Sequence, residues 1–172
     1  MSGADVGIPE VDPLQEKSGF VRLMERFAQL RHVTWFLVRV GRHIDPVLMR
    51  FTGGRVNLTA TKTVLVLHHR GAKTGKARQT PLIYFTQGRD VILMASSGGA
   101  PHHPAWLHNV RAHPDVELWV GKRGGAYRAH VADAEERAAL WLTARVFYSG
   151  FDRYQEFAGD REIPIVVCSP RG

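Results

Sequence analysis

Three short runs of aliphatic and β-branched residues constrain the fold of this chain more than any other feature of its sequence. The runs extend from Thr63 to His69, from Arg78 to Phe85 and from Asp90 to Ala95. Glycine-containing turn segments separate them, at 71–76 and at Gln87-Gly88. Apolar runs joined by such short turns are typical of antiparallel strands. The sequence therefore predicts an antiparallel meander in the middle of the chain.

The second half of the chain predicts three further strands and two helices. The strands extend from Val116 to Val120, from Ala126 to Val131 after a turn at Gly124-Gly125, and from Ile163 to Cys168. A short helix is predicted from Pro104 to Ala112, because proline suits the first turn of a helix. Asp133 and Glu136 have capping-box spacing before a helix that extends to about Tyr148. About six antiparallel strands with intervening helices predict an α+β fold that closes into a barrel.

The N-terminal region differs from the rest and divides the chain into three segments. Residues 1–17 contain prolines and no helical period, which predicts a mobile leader without the apolar run of a signal peptide. Residues 18–52 repeat apolar side chains at helical spacing opposite basic ones, which predicts an amphipathic helix. Residues 53–172 hold the predicted barrel. No run approaches the roughly 20 apolar residues of a membrane-spanning helix.

The net charge of the chain indicates what kind of partner it binds, and its cysteine content indicates which cellular compartment it suits. The 172 residues include 23 lysines and arginines against 16 aspartates and glutamates, a formal net charge of +7. Such an excess favours an anionic partner. The single cysteine, Cys168, excludes an internal disulfide and fits a reducing cytoplasm. The basic amphipathic helix either lies on the inner face of the plasma membrane, as a peripheral contact, or packs its apolar face on the barrel.

The segment between the first two strands combines backbone freedom with positive charge. Gly71 and Gly75 permit unusual backbone angles, and the nearby cations are Lys73, Lys76 and Arg78. Backbone N–H groups and cations that converge on one point suit a phosphate. The next run is a strand, so the segment is not a Walker loop. A solvated basic hairpin without a ligand is the alternative interpretation.

Two other segments contain candidate site residues. The small residues of Ala95-Ser96-Ser97-Gly98-Gly99, at the end of a strand, let a ligand approach the backbone, although an ordinary loop has the same composition. Tyr148, Phe151 and Tyr154 recur every three residues, which places them on one side of a helix. Such a row either packs in the core or lines a pocket for a flat ligand. Ser149-Gly150 predicts a break in that helix and hence a mobile lid.

Histidines at 102, 103 and 108 lack cysteine or acidic partners at the spacing of metal ligands, so no metal site is predicted. The chain also has no nucleic-acid recognition motif, and no aromatic residues alternate with its basic ones. The sequence therefore predicts a small-molecule site rather than a nucleic-acid interface. A homodimer is expected, because strand edges left free would favour pairing between copies.

Taken in order, these motifs resemble the deazaflavin-dependent nitroreductase family over roughly residues 50–170. The matching elements are Gly71-Ala-Lys-Thr-Gly75 with Arg78, Pro81-Leu82, Ala95-Ser96-x-Gly98-Gly99, Pro104-x-Trp106-x-x-Asn109, the aromatic row and Ile163-Pro-Ile-Val-Val-Cys168. The resemblance implies a split β-barrel that binds coenzyme F420. It implies an oxidoreductase that transfers a hydride from the reduced coenzyme to a quinone-like, nitro or activated-alkene acceptor.

The resemblance also implies roles for single residues. Lys73 and Arg78 would hold the phosphate and acidic tail of the coenzyme. The residues that would border its ring and shape the pocket around it are Ser96, Ser97, Gly98, Gly99, Trp106 and Asn109. The residues that would cover the substrate are Tyr148, Phe151 and Tyr154. Catalysis would fall to Ser96 and to the hydroxyl of Tyr148 or Tyr154, which would donate a hydrogen bond to the acceptor oxygen.

Because of three departures from the family pattern, the resemblance does not identify the hydride acceptor. Ser97 stands where lysine is common, Phe151 where tyrosine is common, and His103 where asparagine is common. Reduction of nitroimidazoles therefore does not follow from the resemblance. Two alternatives remain beside the main hypothesis: an oxidoreductase of the same fold that binds FMN, and an F420-binding carrier protein without catalysis.

Overall fold

The structure is a computed structural model that describes residues 7–14 and 64–171. Its strands are β1 (Val64–Arg70), β2 (Ala77–Gln87), β3 (Asp90–Met94), β4 (Asp115–Val120), β5 (Arg123–Val131) and β6 (Ile165–Pro170). Its helices are α1 (Ala105–Ala112), α2 (Ala134–Phe147) and α3 (Gly150–Ala158), and a short 3-10 turn occupies Ser97–Gly99. The amphipathic helix predicted within 18–52 lies outside the described residues.

The six strands form a closed barrel in the order β1-β2-β3-β6-β5-β4, and every neighbouring pair is antiparallel. The α+β barrel predicted from the sequence is confirmed. Closure gives each of these strands two hydrogen-bonded neighbours. The free edges expected to favour a homodimer are therefore not found among the six described strands.

Two hydrophobic clusters hold the barrel together. Side chains of β1 alternate, with Leu65, Leu67 and His69 buried inside and their neighbours facing outward. A second cluster packs the outer face of β3 and β6 against α2 and α3, including Ile92 and Val167. Because β3 and β6 are covered on both faces, their buried stretches 91–94 and 165–168 are continuously apolar rather than alternating.

The turn between β4 and β5 differs from the sequence prediction. It lies at Gly121-Lys122, where Gly121 has a φ of 60°, and not at Gly124-Gly125. Gly124 is part of β5 and pairs with Trp119. A side chain at Gly124 would collide with the Leu118 carbonyl and the Trp119 ring. This glycine therefore serves close packing between strands instead of a turn.

The capped helix and its break are confirmed. The Asp133 carboxylate accepts a hydrogen bond of 2.9 Å from the backbone N–H of Glu136, which begins α2. The helix ends at Phe147, and a new helix, α3, begins at Gly150. Tyr148 lies between the two helices, whereas Phe151 and Tyr154 both belong to α3, so the three aromatic residues do not lie on one continuous helix.

Residues 7–14 lie along the barrel wall. The backbone N–H of Val11 donates to the Thr86 hydroxyl at 2.9 Å, and the N–H of Thr86 donates to the Val11 carbonyl at 3.0 Å. The Tyr84 hydroxyl donates to the Pro9 carbonyl at 3.0 Å, and Ile8 packs against the barrel core. This part of the predicted leader is thus hydrogen-bonded to β2. Among the described helices none has the length and apolarity needed to cross a bilayer.

Candidate functional site

The basic turn between β1 and β2 is closed by its own backbone. The N–H of Gly71 donates to the Lys76 carbonyl at 2.9 Å, and the N–H of Gly75 donates to the Gly71 carbonyl at 2.8 Å. A Cβ on Gly71 would lie 3.1 Å from Nε of Arg78, so the guanidinium of Arg78 lies across this glycine. The turn and the start of β2 therefore bring Arg78 and the turn backbone together.

The cations of this turn are exposed and available to a ligand. Lys73, Lys76 and Arg78 all lie at the surface. None of the three forms an ion pair with an acidic side chain of residues 7–14 or 64–171. The positive charge of the turn is thus not neutralised by the described part of the barrel, which suits a phosphate or carboxylate ligand.

A buried polar chain supports the turn from inside. The side-chain oxygen of Asn109, on α1, accepts a hydrogen bond of 2.8 Å from the N–H of Ala72. The amide nitrogen of Asn109 donates to Nδ1 of His69 at 3.1 Å, so the ring proton is on Nε2, which donates to the Thr80 hydroxyl at 3.0 Å. Burial lowers the pKa of His69, and the charges of Arg78 and His68 lower it further. This chain of bonds joins α1, β1, β2 and the turn.

Trp106 and Asn109 were both assigned by resemblance to the coenzyme pocket. The structure places the Trp106 ring in the barrel core, 6% exposed, beside Leu107 and Val110. Asn109 is 8% exposed, and both of its polar atoms bond to the protein. These contacts support a positioning role for Asn109 and a packing role for Trp106.

The loop after β3 has an unusual backbone. Ser97, Gly98 and Gly99 all have positive φ, at 51°, 63° and 78°. For Ser97 this left-handed conformation costs roughly 1 kcal/mol, because its Cβ approaches the following carbonyl oxygen. Hydrogen bonds from Gly99 N–H to the Ser96 carbonyl at 3.0 Å and from Ala100 N–H to the Ser97 carbonyl at 3.2 Å close the loop. Gly98 has no side chain and is partly exposed, so a flat ligand can approach the backbone there, whereas Gly99 is buried.

Arg161 clamps this loop, and sequence reasoning missed it. Its guanidinium donates to the backbone carbonyls of Ser96 at 2.8 Å, Ala100 at 2.9 Å and Ala95 at 3.4 Å, and to Nδ1 of His103 at 3.2 Å. The sequence around it, Asp160-Arg161-Glu162, resembles a solvated run of charges. The one signal is its position two residues before the Ile163-Pro164 motif.

The three aromatic residues form a cluster rather than a row. The ring centroids of Tyr148 and Phe151 are 5.2 Å apart, and those of Tyr148 and Tyr154 are 5.9 Å apart. The hydroxyls of Tyr148 and Tyr154 are within hydrogen-bond distance, 3.2 Å. Phe151 is 3% exposed and belongs to the core, whereas the two tyrosines are half-buried. The tyrosines are thus the members of the cluster that a substrate can reach.

The loop and the aromatic cluster are in direct contact. A Cβ on Gly99 would lie 2.6 Å from Cβ of Phe157 and 2.7 Å from the Tyr154 carbonyl, so only glycine fits here. Helix α1 starts just after this loop, and Asn109, in its second half, holds the basic turn. Eight residues of helix span about 12 Å. The turn is thus bonded to the middle of α1, the loop precedes the start of that helix, and the tyrosines adjoin the loop.

No group of three or more histidine, cysteine or acidic side chains suited to a metal ion occurs in the described ranges. His103 and His108 contact each other edge to face, with ring centroids 6.1 Å apart. The imidazole of His103 already accepts a hydrogen bond from Arg161.

The chain is similar to known reductases in sequence and in structure. A family model described as F420H(2)-dependent quinone reductase matches residues 40–170. An F420H(2)-dependent quinone reductase of Mycobacterium tuberculosis is 36% identical over 147 residues, which cover 82% of this chain and 95% of that protein. The solved structure of an F420-H2 dependent reductase, FDR-A, has a TM-score of 0.57 at 32% identity and covers 62% of this chain and 94% of that one. A solved domain-swapped dimer has a TM-score of 0.58 at 30% identity, with coverage of 76% and 96%.

Proposed function

Because this chain belongs to the F420H(2)-dependent quinone reductase family, we propose that it transfers a hydride from reduced coenzyme F420 to a quinone at the surface formed by loop 96–99 and the tyrosine pair. The observation that carries this placement is the close packing of Gly99 against Tyr154 and Phe157. This contact makes the coenzyme side and the acceptor side of the site one continuous surface. Hydride transfer requires such contact between donor and acceptor.

The residues present fit the chemistry of the coenzyme. Its phosphate and acidic tail need cations, and Lys73 and Arg78 are exposed and unpaired with described acidic residues. Its flat ring needs a surface without side chains, which Gly98 provides, while Gly99 packs against α3 behind it. The bound coenzyme supplies the hydride, and the protein positions the reactants and shapes their surroundings.

Ser96 and Ser97 complete the coenzyme side of this assignment. Both lie in the loop that Arg161 clamps, and both are partly exposed. Ser97 has the positive φ of the glycines that follow it, so its backbone continues the surface they form. Trp106 anchors α1, the helix that follows this loop, in the barrel core.

The tyrosine pair supplies a hydrogen-bond donor for the acceptor. Either hydroxyl can donate to the other across 3.2 Å. We assign Tyr148 as the donor, which leaves the Tyr154 proton for a quinone oxygen. That oxygen gains negative charge as the hydride arrives, so a donor already in position stabilises the transition state more than the ground state. Phe151 packs edge to face on Tyr148, 5.2 Å between centroids, and fixes its ring.

Nitro compounds and activated alkenes belong to the same proposal as further acceptors. Both place negative charge on an oxygen when they accept a hydride at a conjugated carbon or nitrogen, so the same tyrosine donor serves them. The half-buried tyrosine wall has no charged member, which suits such neutral, flat molecules.

The first test is a fluorescence titration of the purified protein with oxidised F420, with FMN measured in parallel. We expect saturable binding of F420 and none of FMN, followed by oxidation of F420H2 when a water-soluble benzoquinone or naphthoquinone is added. Binding of FMN alone would indicate the FMN-dependent alternative. Binding of F420 without turnover of quinones, nitro compounds or enoates would indicate a carrier protein.

Oligomeric state and location complete the proposal. One solved relative is a domain-swapped dimer, and we propose a homodimer for this chain, to be tested by light scattering after size-exclusion chromatography. A cytoplasmic location, with the predicted helix of 18–52 on the inner face of the plasma membrane, stays a prediction. Flotation with anionic vesicles tests that contact, because a basic amphipathic helix binds anionic lipid.

A further inference from the structure

We infer that Arg161 is a positioning residue that holds loop 95–100 in a fixed relation to α3, and that His103 orients its guanidinium. This inference rests on the proposed function, because it assigns the loop to the coenzyme and α3 to the acceptor. Arg161 itself is not placed in contact with either reactant. Its effect is to set the distance and the angle between the coenzyme and the acceptor.

The guanidinium bonds bracket the strained part of the loop. The Ser96 carbonyl lies directly before the three residues with positive φ, and the Ala100 carbonyl lies directly after them. These two bonds, at 2.8 and 2.9 Å, use different nitrogens of the planar fork. A planar fork with five N–H donors can hold several carbonyls in one geometry, whereas a single ammonium cannot. Arg161 thus offsets the cost of the left-handed conformation at Ser97.

The backbone of Arg161 is tied to α3 at the same time. Its N–H donates to the Ala158 carbonyl, the last residue of the helix, at 3.2 Å. Its carbonyl accepts a 2.9 Å bond from the side-chain amide of Gln155, in the middle of α3. Tyr154 precedes Gln155 on this helix. One residue therefore connects the loop below the coenzyme ring with the helix that carries the tyrosine donor.

No carboxylate of the described residues neutralises Arg161. Its neighbour Glu162 pairs instead with Arg137, at 2.9 Å. The bonds of the Arg161 guanidinium go to carbonyls and to one imidazole. Removal of the side chain would take one donor from each of these carbonyls, and the loop would lose its hydrogen-bonded link to α3.

His103 makes the clamp sensitive to pH. A guanidinium can only donate, so Nδ1 of His103 must be the acceptor and must carry no proton. The charged and titratable groups around this ring are Arg161, Arg111 and His108. Burial lowers the pKa of His103, and the charges of these groups lower it further. The bond is therefore complete at neutral pH and is lost as the pH falls through the lowered value.

The test compares Arg161→Lys, Arg161→Ala and His103→Asn with Arg153→Ala, an exposed arginine on α3. Hydrogen exchange of residues 95–100 is measured in the coenzyme-free proteins, and the Kd of F420 is measured by fluorescence. We expect both Arg161 variants to exchange faster in this loop and to bind F420 about tenfold more weakly. Free guanidinium ion at low millimolar concentration should restore F420 binding to Arg161→Ala and leave Arg161→Lys unchanged. Arg153→Ala should equal the wild type in both measurements.

The His103→Asn variant tests whether protonation of His103 is what loosens the loop in acid. An asparagine oxygen can accept from the guanidinium and does not titrate, so this variant should keep wild-type exchange at neutral pH. With exchange rates corrected for their intrinsic dependence on pH, it should also lose the fall in loop protection that the wild type shows toward pH 5. The same acid response in both proteins would overturn the role given to His103. Wild-type exchange and wild-type Kd in Arg161→Lys would overturn the role given to Arg161.

The outcomes separate this inference from the proposed function. A wild-type protein that binds no F420 would contradict the proposed function, while exchange in the coenzyme-free variants still decides whether Arg161 holds the loop. A wild type that binds F420 and reduces quinones, beside Arg161 variants that do the same equally well, would contradict the inference alone. If Arg161→Ala does not fold, the lysine variant and the exchange measurement on it give the answer.

Discussion

The side-chain oxygen of Asn109 accepts a hydrogen bond from the backbone N–H of Ala72 at 2.8 Å, across 37 positions of sequence. The contact connects α1 to the basic turn, and the amide nitrogen of Asn109 extends it to the buried ring of His69 at 3.1 Å. An exposed, lysine-bearing turn is thereby given the support of a buried side chain. The cations of the turn are presented in a fixed geometry.

We therefore expect Asn109→Leu to weaken coenzyme binding without touching the coenzyme site itself. The leucine leaves the Ala72 N–H and the His69 ring nitrogen unpaired, which costs about 1–3 kcal/mol of folding free energy for a buried group. Urea unfolding measures that loss, and fluorescence titration measures the rise in the Kd of F420. His108→Ala, an exposed neighbour on the same helix, is the control. A stable Asn109→Leu protein with wild-type affinity would contradict the support of the turn by α1.

His69 makes the stability of the protein depend on pH. Burial lowers the pKa of His69 below its ordinary value of about 6.5, so the unfolded chain takes up a proton there before the folded one does. Stability is therefore full above pH 6.5 and declines as the pH falls from there to the lowered value. Thermal unfolding between pH 5 and 8 measures the decline. His69→Gln should be less stable at pH 8 and show a weaker acid response, and an unchanged acid response would contradict this assignment.

The double variant Lys73→Ala/Arg78→Ala tests the anion site of the turn. Both side chains are exposed, so the folded state should keep its stability within about 0.5 kcal/mol. Loss of two cations that face a polyanion should raise the Kd of F420 at least about tenfold and reduce its dependence on salt. Titrations at low and high salt measure both effects. Arg89→Ala/Lys122→Ala, two exposed cations on other turns, should bind F420 as the wild type does.

Substitution of the tyrosine donor should separate catalysis from coenzyme binding. In Tyr154→Phe the hydroxyl that faces the acceptor is lost, and kcat with a quinone should fall about tenfold or more, because the donor acts on charge in the transition state. The Kd of F420 should stay within twofold, about 0.4 kcal/mol. Steady-state kinetics and fluorescence titration give the two numbers. Tyr148→Phe, which leaves Tyr154 in place, should lose less activity, and equal losses in both would show that the pair acts as one donor.

Gly99→Ala tests the packing of the loop on α3. A Cβ at this position would lie 2.6 Å from Phe157 and 2.7 Å from the Tyr154 carbonyl, and the residue has a φ of 78°. We expect a loss of about 1–3 kcal/mol in folding free energy, measured by urea unfolding, together with reduced quinone turnover. Gly125→Ala is the matched control, because nothing lies within 4 Å of its Cβ position. Equal stability of the two variants would contradict the close packing of the loop.

The strands and the cap of α2 could be predicted from the sequence, because their signals are local. Asp133 and Glu136 are three residues apart, and the alternation of β1 lies within one strand. The sequence predicts the turn between β4 and β5 at Gly124-Gly125 instead of Gly121, because a glycine pair is typical of a turn. Here Gly124 is needed for another reason, the close approach of Trp119. Composition does not distinguish a glycine in a turn from a glycine in close packing.

The supports of the site could not be predicted, because they join residues far apart in the chain. Arg161 reaches Ser96 across 65 positions, and Asn109 reaches Ala72 across 37. The resemblance identifies Asn109 as a site residue, but its bonds to Ala72 and His69 could not be predicted, because a motif records which residue is present and not which atoms it bonds. Arg161 carried no motif of its own. Its role follows from the backbone carbonyls around it.

The strand order of the barrel has a consequence for synthesis. β6 is the last of the six strands to be made, and it lies between β3 and β5. Until it emerges from the ribosome, the nascent chain has two open strand edges and the uncovered apolar face of β3, which includes Ile92. A polypeptide stopped before Ile165 would keep both edges permanently and be prone to aggregation. Closure of the barrel thus depends on the six residues of β6, which are made after the five other strands.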